Sequence, residues 1–339
     1  MMGDKRYHVV GIGNAVLDVL VDVDDAFLAK AGILKHRMTL VGEEDSQRLY
    51  RQLVPQLEIC GGSVANTMVG LASLGGRCAF LGKVADDGLG RAFSADMSRC
   101  GVTFTVKALT GSVSTARCLI FVTPDGHRSM QTFLGASSFL GVEDVEDGRP
   151  MLEDTSYLFL EGYLWSTDHG VPLMERAATI VRGAGGQVVF SLSDVGLAET
   201  YRDGLIPFIK EHCDIVFANE LEAYALTRTQ DVAQAQKAWR SFHRRGLAII
   251  TRGDKGSIVM DMATEHHDKD EAIDAVVWKR VVDSTGAGDL YAAGFLHGLV
   301  GGHAPSVCGH YGALCAAEVI SHFGARPQTP LLEFLDAKA

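Results

Sequence analysis

The sequence predicts an α/β protein whose main sheet is mostly parallel and is covered by helices on both faces. Short apolar runs alternate with helical patterns along most of the chain. Two stretches interrupt this alternation with consecutive strand patterns, which indicates a second, smaller sheet. The chain has 339 residues, 47% of them hydrophobic and 22% charged, which is sufficient for a large folded core.

Six apolar runs are expected to form the main sheet, because each is bounded by glycine or polar residues and leaves room for a helix. In chain order they are YHVVGIG, CAFLGKV, SYLFLEGY, QVVFSLS, DIVFAN and LAIITRG. The helical patterns are SVANTMVGLASLG, GLGRAFSADMSRCG, VAQAQKAWRSFHRRG, GAGDLYAAGFLHGLV and APSVCGHYGALCAAEVISHFG. Strands that alternate with helices in this way are expected to pair in parallel.

The second sheet is predicted from residues 33–41 and 102–134. Both stretches are rich in β-formers, and the second contains the turn sequences LTGS and PDGH. We expect strands inserted at about 15–60 and 101–135 to form a lid over the ligand-binding edge of the main sheet. No repeat, low-complexity tract or long linker divides the chain, so residues 1–339 are expected to form a single domain with this lid.

Charge and cysteine content limit the possible functions. Lys and Arg number 31 against 42 Asp and Glu, a formal net charge of -11, which argues against binding nucleic acid or an anionic membrane. There is no membrane-spanning run or signal-peptide pattern. Seven dispersed cysteines without a CxxC pair predict reduced thiols in a cytoplasmic protein. His266, His267 and Asp268 lie in the polar segment TEHHDKDE, which favours a solvated loop over a metal site.

The segment VVDSTGAGDLYAAGF places two glycines and an acid at the start of a predicted helix. Gly286 and Gly288 would let backbone amides approach an anion at the positive end of the helix dipole. Asp289, in the same first turn, either complements that dipole or accepts the proton of a hydroxyl that attacks phosphorus. The motif alone leaves both interpretations open.

Two other nucleotide-binding motifs are incomplete or absent. The chain has no G-x-x-x-x-G-K-[ST] sequence, which excludes a P-loop enzyme. GIGNAV, residues 11–16, starts like a dinucleotide-binding fingerprint but lacks the third glycine and a strand-end acid at the usual distance. A nicotinamide-dependent dehydrogenase is therefore disfavoured.

Five motifs, in the right order, resemble those of the ribokinase-like (PfkB) carbohydrate kinases, particularly the adenosine kinase branch. They are GNAVLDV, CGGSVANTMVGLASLGGRCAFLGKVADDGLG, NELE, TRGDKGS and DSTGAGDLYAAGF. The resemblance covers nearly the whole chain, and its one departure is Ser284 where the family commonly has Thr. It implies a three-layer α/β/α sandwich with a small β-sheet lid and an ATP-dependent kinase that uses Mg²⁺ with ATP.

The resemblance also implies the site residues. Catalysis would depend on Asp289 as the general base and on an anion hole formed by the amides of Gly286, Ala287 and Gly288. The implied acceptor-binding residues are Asn14, Asp18, Gly62, Asn66 and Arg128. The implied ATP-binding residues are Asn219, Thr251, Gly253 and Gly256. Glu222, with Asn219, would hold the Mg²⁺ shell through water, and Asp283 is a candidate ligand for K⁺.

The sequence indicates the type of reaction more clearly than the identity of the phosphate acceptor. HRSMQTFLGASSFL and GHYGALCAAEVISHFGAR resemble the adenosine kinase branch more than ribokinase or fructokinase, which favours adenosine as acceptor and AMP as product. Inosine, guanosine, ribose and fructose stay open, as does a non-catalytic binding protein on the same scaffold. Phe133, Phe139 and Tyr163 are candidates to stack on a base. The family includes monomers and homodimers, so the oligomeric state stays open.

Overall fold

The computed structural model describes residues 5–35, 38–105, 107–125, 128–263 and 270–338, and His266, His267 and Asp268 lie outside these ranges. The strands of the described residues are β1 (Tyr7–Ile12), β2 (Val16–Asp22), β3 (Met38–Leu40), β4 (Leu57–Gly61), β5 (Cys78–Leu81), β6 (Val102–Phe104), β7 (Ala116–Val122), β8 (Arg128–Phe133), β9 (Thr155–Glu161), β10 (Gln187–Ser191), β11 (Ile215–Asn219), β12 (Leu247–Thr251), β13 (Ser257–Asp261) and β14 (Glu271–Ile273).

The α-helices of the same residues are α1 (Asp25–Ala31), α2 (Glu43–Tyr50), α3 (Ser63–Ser73), α4 (Gly88–Arg99), α5 (Val142–Asp147), α6 (Arg149–Glu153), α7 (Gly170–Gly183), α8 (Val195–Thr200), α9 (Arg202–His212), α10 (Glu220–Thr227), α11 (Val232–Phe242), α12 (Ala287–Val300), α13 (Pro305–Val319) and α14 (Leu331–Asp336). Short 3-10 helices lie at Gly135–Phe139, Gly162–Ser166 and Gly253–Lys255.

The main sheet has nine strands in the order β14-β13-β12-β11-β10-β9-β1-β5-β6. Every pairing from β12 to β6 is parallel, and β13 and β14 form an antiparallel edge. Each apolar run predicted for the main sheet forms one of its parallel strands. The sequence-based prediction of a mostly parallel main sheet is therefore confirmed.

Helices cover both faces of this sheet. Successive side chains of each strand point to opposite faces, so each strand contributes to a core on either side. On β1, Val9 packs into a core that includes Leu290 of α12, whereas Val10 packs into a second core that includes Leu173 of α7. All four side chains are fully buried. The two cores on either side of one sheet give the three layers that the sequence predicted.

The second sheet has five strands in the order β3-β8-β7-β2-β4. β2 pairs in parallel with β7 and antiparallel with β4, while β8 pairs antiparallel with β7 and in parallel with β3. One expectation needs correction, because β6 joins the edge of the main sheet beside β5. The helix α4 between β5 and β6 is long enough for a parallel crossover, so β6 continues the main alternation.

The chain order of the strands places a crevice at the carboxyl end of β1. From β1 the chain builds β5 and β6 on one side and β9 to β12 on the other. Loops that leave β1 and β9 therefore diverge, which opens a crevice at this edge of a parallel sheet.

Two further predictions concern the whole chain. Among the residues that the structure describes, no helix is both long and apolar enough to cross a membrane. The seven cysteines are all unpaired, as their dispersed pattern predicted.

Candidate active site

A cavity of about 480 Å³ lies between the carboxyl edge of the main sheet and the second sheet. The site residues inferred from the sequence that line it are Asn14, Asp18, Gly62, Asn66, Arg128, Asn219, Glu222, Thr251, Gly286, Ala287, Gly288 and Asp289. Gly253, Gly256 and Asp283 lie outside its lining. The fold thus brings most of the inferred residues to one place, although they are spread over nearly the whole chain.

The N-terminus of α12 opens into this cavity. Gly286, its N-cap, has φ +77°, and a Cβ there would lie 2.7 Å from the Cβ of Ala325. Both the backbone conformation and the close contact therefore require glycine at this position. The helix has no side-chain cap, and its first amides have no intrahelical acceptors. Among the three amides of the inferred anion hole, that of Ala287 donates to the Ser284 carbonyl at 3.3 Å. The amides of Gly286 and Gly288 are therefore the better placed to bind an anion.

The N-terminus of α3 meets that of α12 across Asp289. Asp289 Oδ1 accepts a hydrogen bond from Ser63 Oγ at 2.7 Å, and Oδ2 accepts one from Asn66 Nδ2 at 3.0 Å. Burial raises the pKa of Asp289, while these two hydrogen bonds and the charge of Arg326 lower it. Ser63 was not predicted, although its position directly after Gly62 at a helix start was a usable signal.

Asp18 projects from β2 into the cavity. It is buried, and desolvation raises its pKa to about 7; Arg326 opposes this shift and Asp289 adds to it. The neighbouring strand makes room for the carboxylate, because a Cβ at Gly61 would lie 2.0 Å from Asp18 Oδ2. This position therefore combines a confined acid with a glycine that accommodates it.

Glu161, at the end of β9, organises the floor of the cavity and was missed from the sequence. Its Oε1 accepts hydrogen bonds from Asn14 N and Asn14 Nδ2, both at 2.8 Å, and its Oε2 accepts one from Val64 N at 3.1 Å. Desolvation raises its pKa to about 7 despite these three donors. An acid at the end of the apolar run YLFLE was the available signal, since strand ends meet at this edge.

Two side-chain amide oxygens at the floor of the cavity accept no hydrogen bond from the described residues. Asn14 Oδ1 and Asn66 Oδ1 are buried and have no hydrogen-bond partner among the described residues. Both side chains line the cavity, and their amide nitrogens are already engaged with Glu161 and Asp289. Buried polar atoms are normally satisfied, so these oxygens are suited to accept hydrogen bonds from ligand hydroxyls.

Arg326 contacts the backbone on either side of Gly62, and the sequence analysis did not predict it. Its Nε donates to the Cys60 carbonyl at 2.9 Å and its Nη1 to the Ala65 carbonyl at 3.3 Å, on either side of Gly62. Gly62 itself has φ +96°, and a Cβ there would lie 2.2 Å from the Asn14 carbonyl oxygen. Nothing in the local sequence marks Arg326, because its contacts are more than 220 residues away.

Asn219 and Glu222 form a capping box at the start of α10. Asn219 N donates to Glu222 Oε2 at 2.9 Å, Asn219 Nδ2 donates to Oε1 at 2.7 Å, and Glu222 N donates to Asn219 Oδ1 at 2.8 Å. Desolvation raises the pKa of Glu222 to about 7, and Asp194 and Asp289 raise it further against the Asn219 hydrogen bond. The motif thus caps a helix and places a buried acid at the cavity.

Thr251 ends β12 at the cavity, and a tight turn follows it. Within this turn Gly253 and Gly256 have φ +60° and +76°, and a Cβ at Gly256 would lie 1.9 Å from the Ile273 carbonyl oxygen. These glycines therefore shape the turn beside the cavity, whereas Thr251 lines the cavity itself.

Comparison with known proteins identifies the family. Residues 29–331 match the pattern of the pfkB family carbohydrate kinase. The chain belongs to this family. Like its other members, this pfkB kinase is an ATP-dependent phosphotransferase with a ribokinase-like α/β fold, and the family uses ATP with a divalent metal.

Three relatives illustrate the range of the pfkB family around this chain. The crystal structure of adenosine kinase from Sinorhizobium meliloti is similar with a TM-score of 0.92 and 40% identity, over 98% of this chain and 100% of that one. A "probable sugar kinase protein" from Rhizobium etli CFN 42 is similar with a TM-score of 0.91 and 36% identity, over 98% and 99% of the two chains. Adenosine kinase from Schizophyllum commune is 27% identical over 88% of this chain and 90% of its own length.

One wall of the pfkB kinase cavity is apolar. The apolar side chains that form it come from the second sheet and from the residue that follows β8: Val16, Met38, Leu40, Cys118, Ile120, Met130 and Leu134. Tyr163 also lines the cavity, as expected, but Phe133 and Phe139 do not. Phe133 neighbours Thr132, which faces the cavity, so strand alternation directs Phe133 to the opposite face, and Phe139 is 47% exposed. The stacking expectation for Phe133 and Phe139 is therefore corrected.

Arg128 and Asp283 form an ion pair at the edge of the cavity. The guanidinium comes from the first residue of β8, and Asp283 precedes the turn that carries Gly286. Burial lowers the pKa of Arg128 to about 10. The sequence-based resemblance implied separate functions for these residues, toward the acceptor and toward K⁺, whereas the structure places them in contact.

Proposed function

We propose that this pfkB kinase transfers the γ-phosphoryl group of ATP to a primary hydroxyl of a nucleoside, with adenosine as the favoured acceptor and AMP as the product. The observation that carries the proposal is the division of the cavity. A polar floor beside Asp289 suits the hydroxyls of a sugar, and an apolar wall on the second sheet suits a base. A cavity of about 480 Å³ has room for such a ligand.

The apolar wall favours a nucleoside over a free sugar. A free ribose or fructose carries hydroxyls on most of its carbons, so burial against Met130, Ile120 and Leu40 would leave some of them without partners. A purine presents broad apolar faces and gains from the same contacts. The 40% identity with an adenosine kinase supports this choice, and the 36% identity with a "probable sugar kinase protein" makes free sugars the second candidate.

Asp289 is the proposed general base. Ser63 and Asn66, at the start of α3, each donate a hydrogen bond to one oxygen of its carboxylate. These bonds fix the orientation of the carboxylate and leave a lone pair on each oxygen to accept a proton. The acceptor hydroxyl would give up its proton to this carboxylate as its oxygen bonds to phosphorus. The amides of Gly286 and Gly288 and the α12 dipole would then stabilise charge on the transferring group.

Asp18, Asn14 and Asn66 are the proposed hydroxyl-binding residues. The two amide oxygens without protein partners would accept hydrogen bonds from sugar hydroxyls, and the Asp18 carboxyl lines the same cavity from β2. Glu161 acts behind them, because it accepts one hydrogen bond from the Asn14 backbone amide and one from the Asn14 side-chain amide. Orientation of the acceptor by such a set contributes to rate by holding the hydroxyl close to phosphorus.

The acidic groups near Glu222 fit a hydrated Mg²⁺. Among the described residues no group of three or more His, Cys, Asp or Glu side chains forms a direct metal cage. Each Glu222 oxygen accepts from Asn219 and keeps a lone pair for a metal-bound water, and Asp194 and Asp289 add negative potential. Mg²⁺ retains its waters in such sites and, when bound with ATP, neutralises phosphate charge.

We infer that the second sheet works as a lid. Its apolar face lines the cavity opposite the main sheet, so movement toward the main sheet would exclude water from the phosphoryl group. Exclusion of water would limit ATP hydrolysis in the absence of the intended acceptor.

The first experiment measures ADP release from Mg-ATP with adenosine, inosine, guanosine, ribose, fructose and no acceptor. We expect turnover with adenosine, and a loss of about 10² to 10⁴ in kcat for Asp289→Asn with ligand binding retained. Asp203→Asn, an exposed position on α9, is the matched control. Turnover with a free sugar only would overturn the nucleoside assignment, and activity of Asp289→Asn within about tenfold of wild type would overturn the general base.

A further inference from the structure

Asp283 is a buried acid at the entry to the proposed anion-hole turn. It is 2% exposed. Its Oδ1 accepts from Thr285 N at 2.6 Å, and its Oδ2 accepts from Gly324 N at 3.0 Å. The carboxylate therefore joins the Thr285–Gly288 turn to the segment after α13. Two neutral amides orient this carboxylate but bring no net charge, so it also requires a cation to offset its desolvation.

The second sheet supplies that cation. Arg128 Nη2 pairs with Asp283 Oδ1, and the side chains of Arg128 and Asp283 are 15% and 0% exposed. Arg128 is the ion-pair partner of Asp283 within the described ranges. Its planar guanidinium is permanently charged and weakly hydrated, which suits a buried pair.

The occupied carboxylate does not fit a monovalent metal ion. K⁺ needs several oxygen ligands at close range, and Oδ1 already carries both the Thr285 amide and the Arg128 guanidinium. A K⁺ ion beside Asp283 would also lie next to a fixed positive charge. The site that the sequence offered for K⁺ is thus filled by a side chain of the protein.

We propose that Arg128 is a built-in monovalent cation for the catalytic turn, so that this kinase does not depend on K⁺ or another free monovalent cation. Arg128 acts through Asp283 and is in this sense a positioning residue. Because it belongs to β8, the charge reaches Asp283 only when the second sheet is docked. The inference rests on the phosphotransferase activity and the proposed anion hole, but not on the identity of the acceptor.

The test compares wild type, Arg128→Met and Arg128→Lys in potassium, sodium and choline chloride at one ionic strength. We expect wild-type kcat to agree within about twofold across the three salts. Arg128→Met leaves Asp283 without a cation, so its kcat is expected to rise about tenfold or more from choline to potassium. Arg128→Lys retains a charge and is expected to respond less than Arg128→Met. Arg149→Met removes two ion pairs outside the cavity, with Glu146 and Glu153, and is the control for general salt effects.

Thermal unfolding gives a readout that does not need turnover. Exchange of choline for potassium is expected to leave the wild-type midpoint unchanged and to raise that of Arg128→Met, because K⁺ would bind only the folded variant. Arg128→Met with Asp283→Asn is expected to lose this response. Tenfold activation of wild type by potassium, or an Arg128→Met protein whose kcat and midpoint both ignore potassium, would overturn the proposal. Absence of turnover with every acceptor would count against the proposed function, and the unfolding midpoints would still decide this inference.

Discussion

The carboxylate of Asp289 depends on two neighbours from a different helix. Burial raises its pKa, and the hydrogen bonds from Ser63 and Asn66 work against that shift. The proposed general base must be ionised to accept a proton, so these donors would extend the pH range in which Asp289 can act. Ser63 and Asn66 therefore lower the pKa of Asp289 in addition to holding its carboxylate in place.

Replacement of Ser63 by alanine is expected to move the acid limb of the kcat profile to higher pH. Loss of the 2.7 Å hydrogen bond raises the pKa of Asp289 further, so more of the base is protonated at a given acidic pH. The expected loss of kcat is greatest on the acid side of the profile and shrinks as the pH rises. A pH–kcat profile measures it.

Ser94→Ala provides the control for this profile. Ser94 Oγ donates to the Gly90 carbonyl on α4, outside the cavity lining, so the limb should not move. A pH-independent loss in Ser63→Ala would show that Ser63 acts only on structure and not on the ionisation of Asp289.

At the scale of elements, the candidate active site lies where the N-termini of two helices meet. Both α3 and α12 begin at glycines with positive φ and without a side-chain cap, so their first amides and side chains face one cavity. Close contact fixes this geometry, because Gly286 lies against Ala325. The glycines thus determine the backbone geometry, and the proposed anion binding depends on that geometry.

Gly286→Ala and Gly288→Ala test whether the backbone conformation requires glycine at each position. Gly286→Ala is expected to lower the free energy of unfolding by about 2 kcal/mol or more, because alanine at φ +77° is strained and its Cβ would meet Ala325. Gly288→Ala meets nothing within 4 Å, so its change should stay within about 0.5 kcal/mol. Urea denaturation of both proteins measures the difference, and equal stabilities would contradict the backbone requirement at Gly286.

At the scale of the whole molecule, the two sheets enclose acids that are costly to bury. Desolvation raises the pKa values of Asp18, Glu161 and Glu222 to about 7. The folded protein therefore binds protons more tightly than the unfolded chain at these positions. Their contribution to stability is present at low pH and is lost as the pH rises toward and through 7. These buried acids thus oppose folding in the pH range where the proposed general base must be ionised.

Asp18→Asn tests this linkage, because asparagine cannot titrate. We expect similar free energies of unfolding for the two proteins near pH 4.5 and a more stable variant at pH 8, by a few kcal/mol at about 1.4 kcal/mol per pKa unit. Urea denaturation at both pH values measures the effect, with Asp203→Asn as the exposed control. A variant that is less stable at pH 8 would mean that the buried Asp18 carboxylate is well compensated in the folded protein.

The sequence by itself determined the elements and the principal chemistry. Apolar periodicity located the parallel strands of the main sheet except β6, and the glycines of DSTGAGD located the start of α12, because these signals lie within a few residues of one another. The order of the five motifs then gave the family, and most of the residues carried over by resemblance line one cavity.

Only the tertiary structure decided which distant side chains meet. Glu161 beneath Asn14, Arg326 beneath Gly62 and Arg128 on Asp283 are each separated by more than 140 residues in the chain. Their pairing follows from strand order and from the position of the second sheet, which no local pattern encodes. The same holds for Phe133, because whether a strand side chain faces a cavity or turns away depends on the surface against which that strand packs.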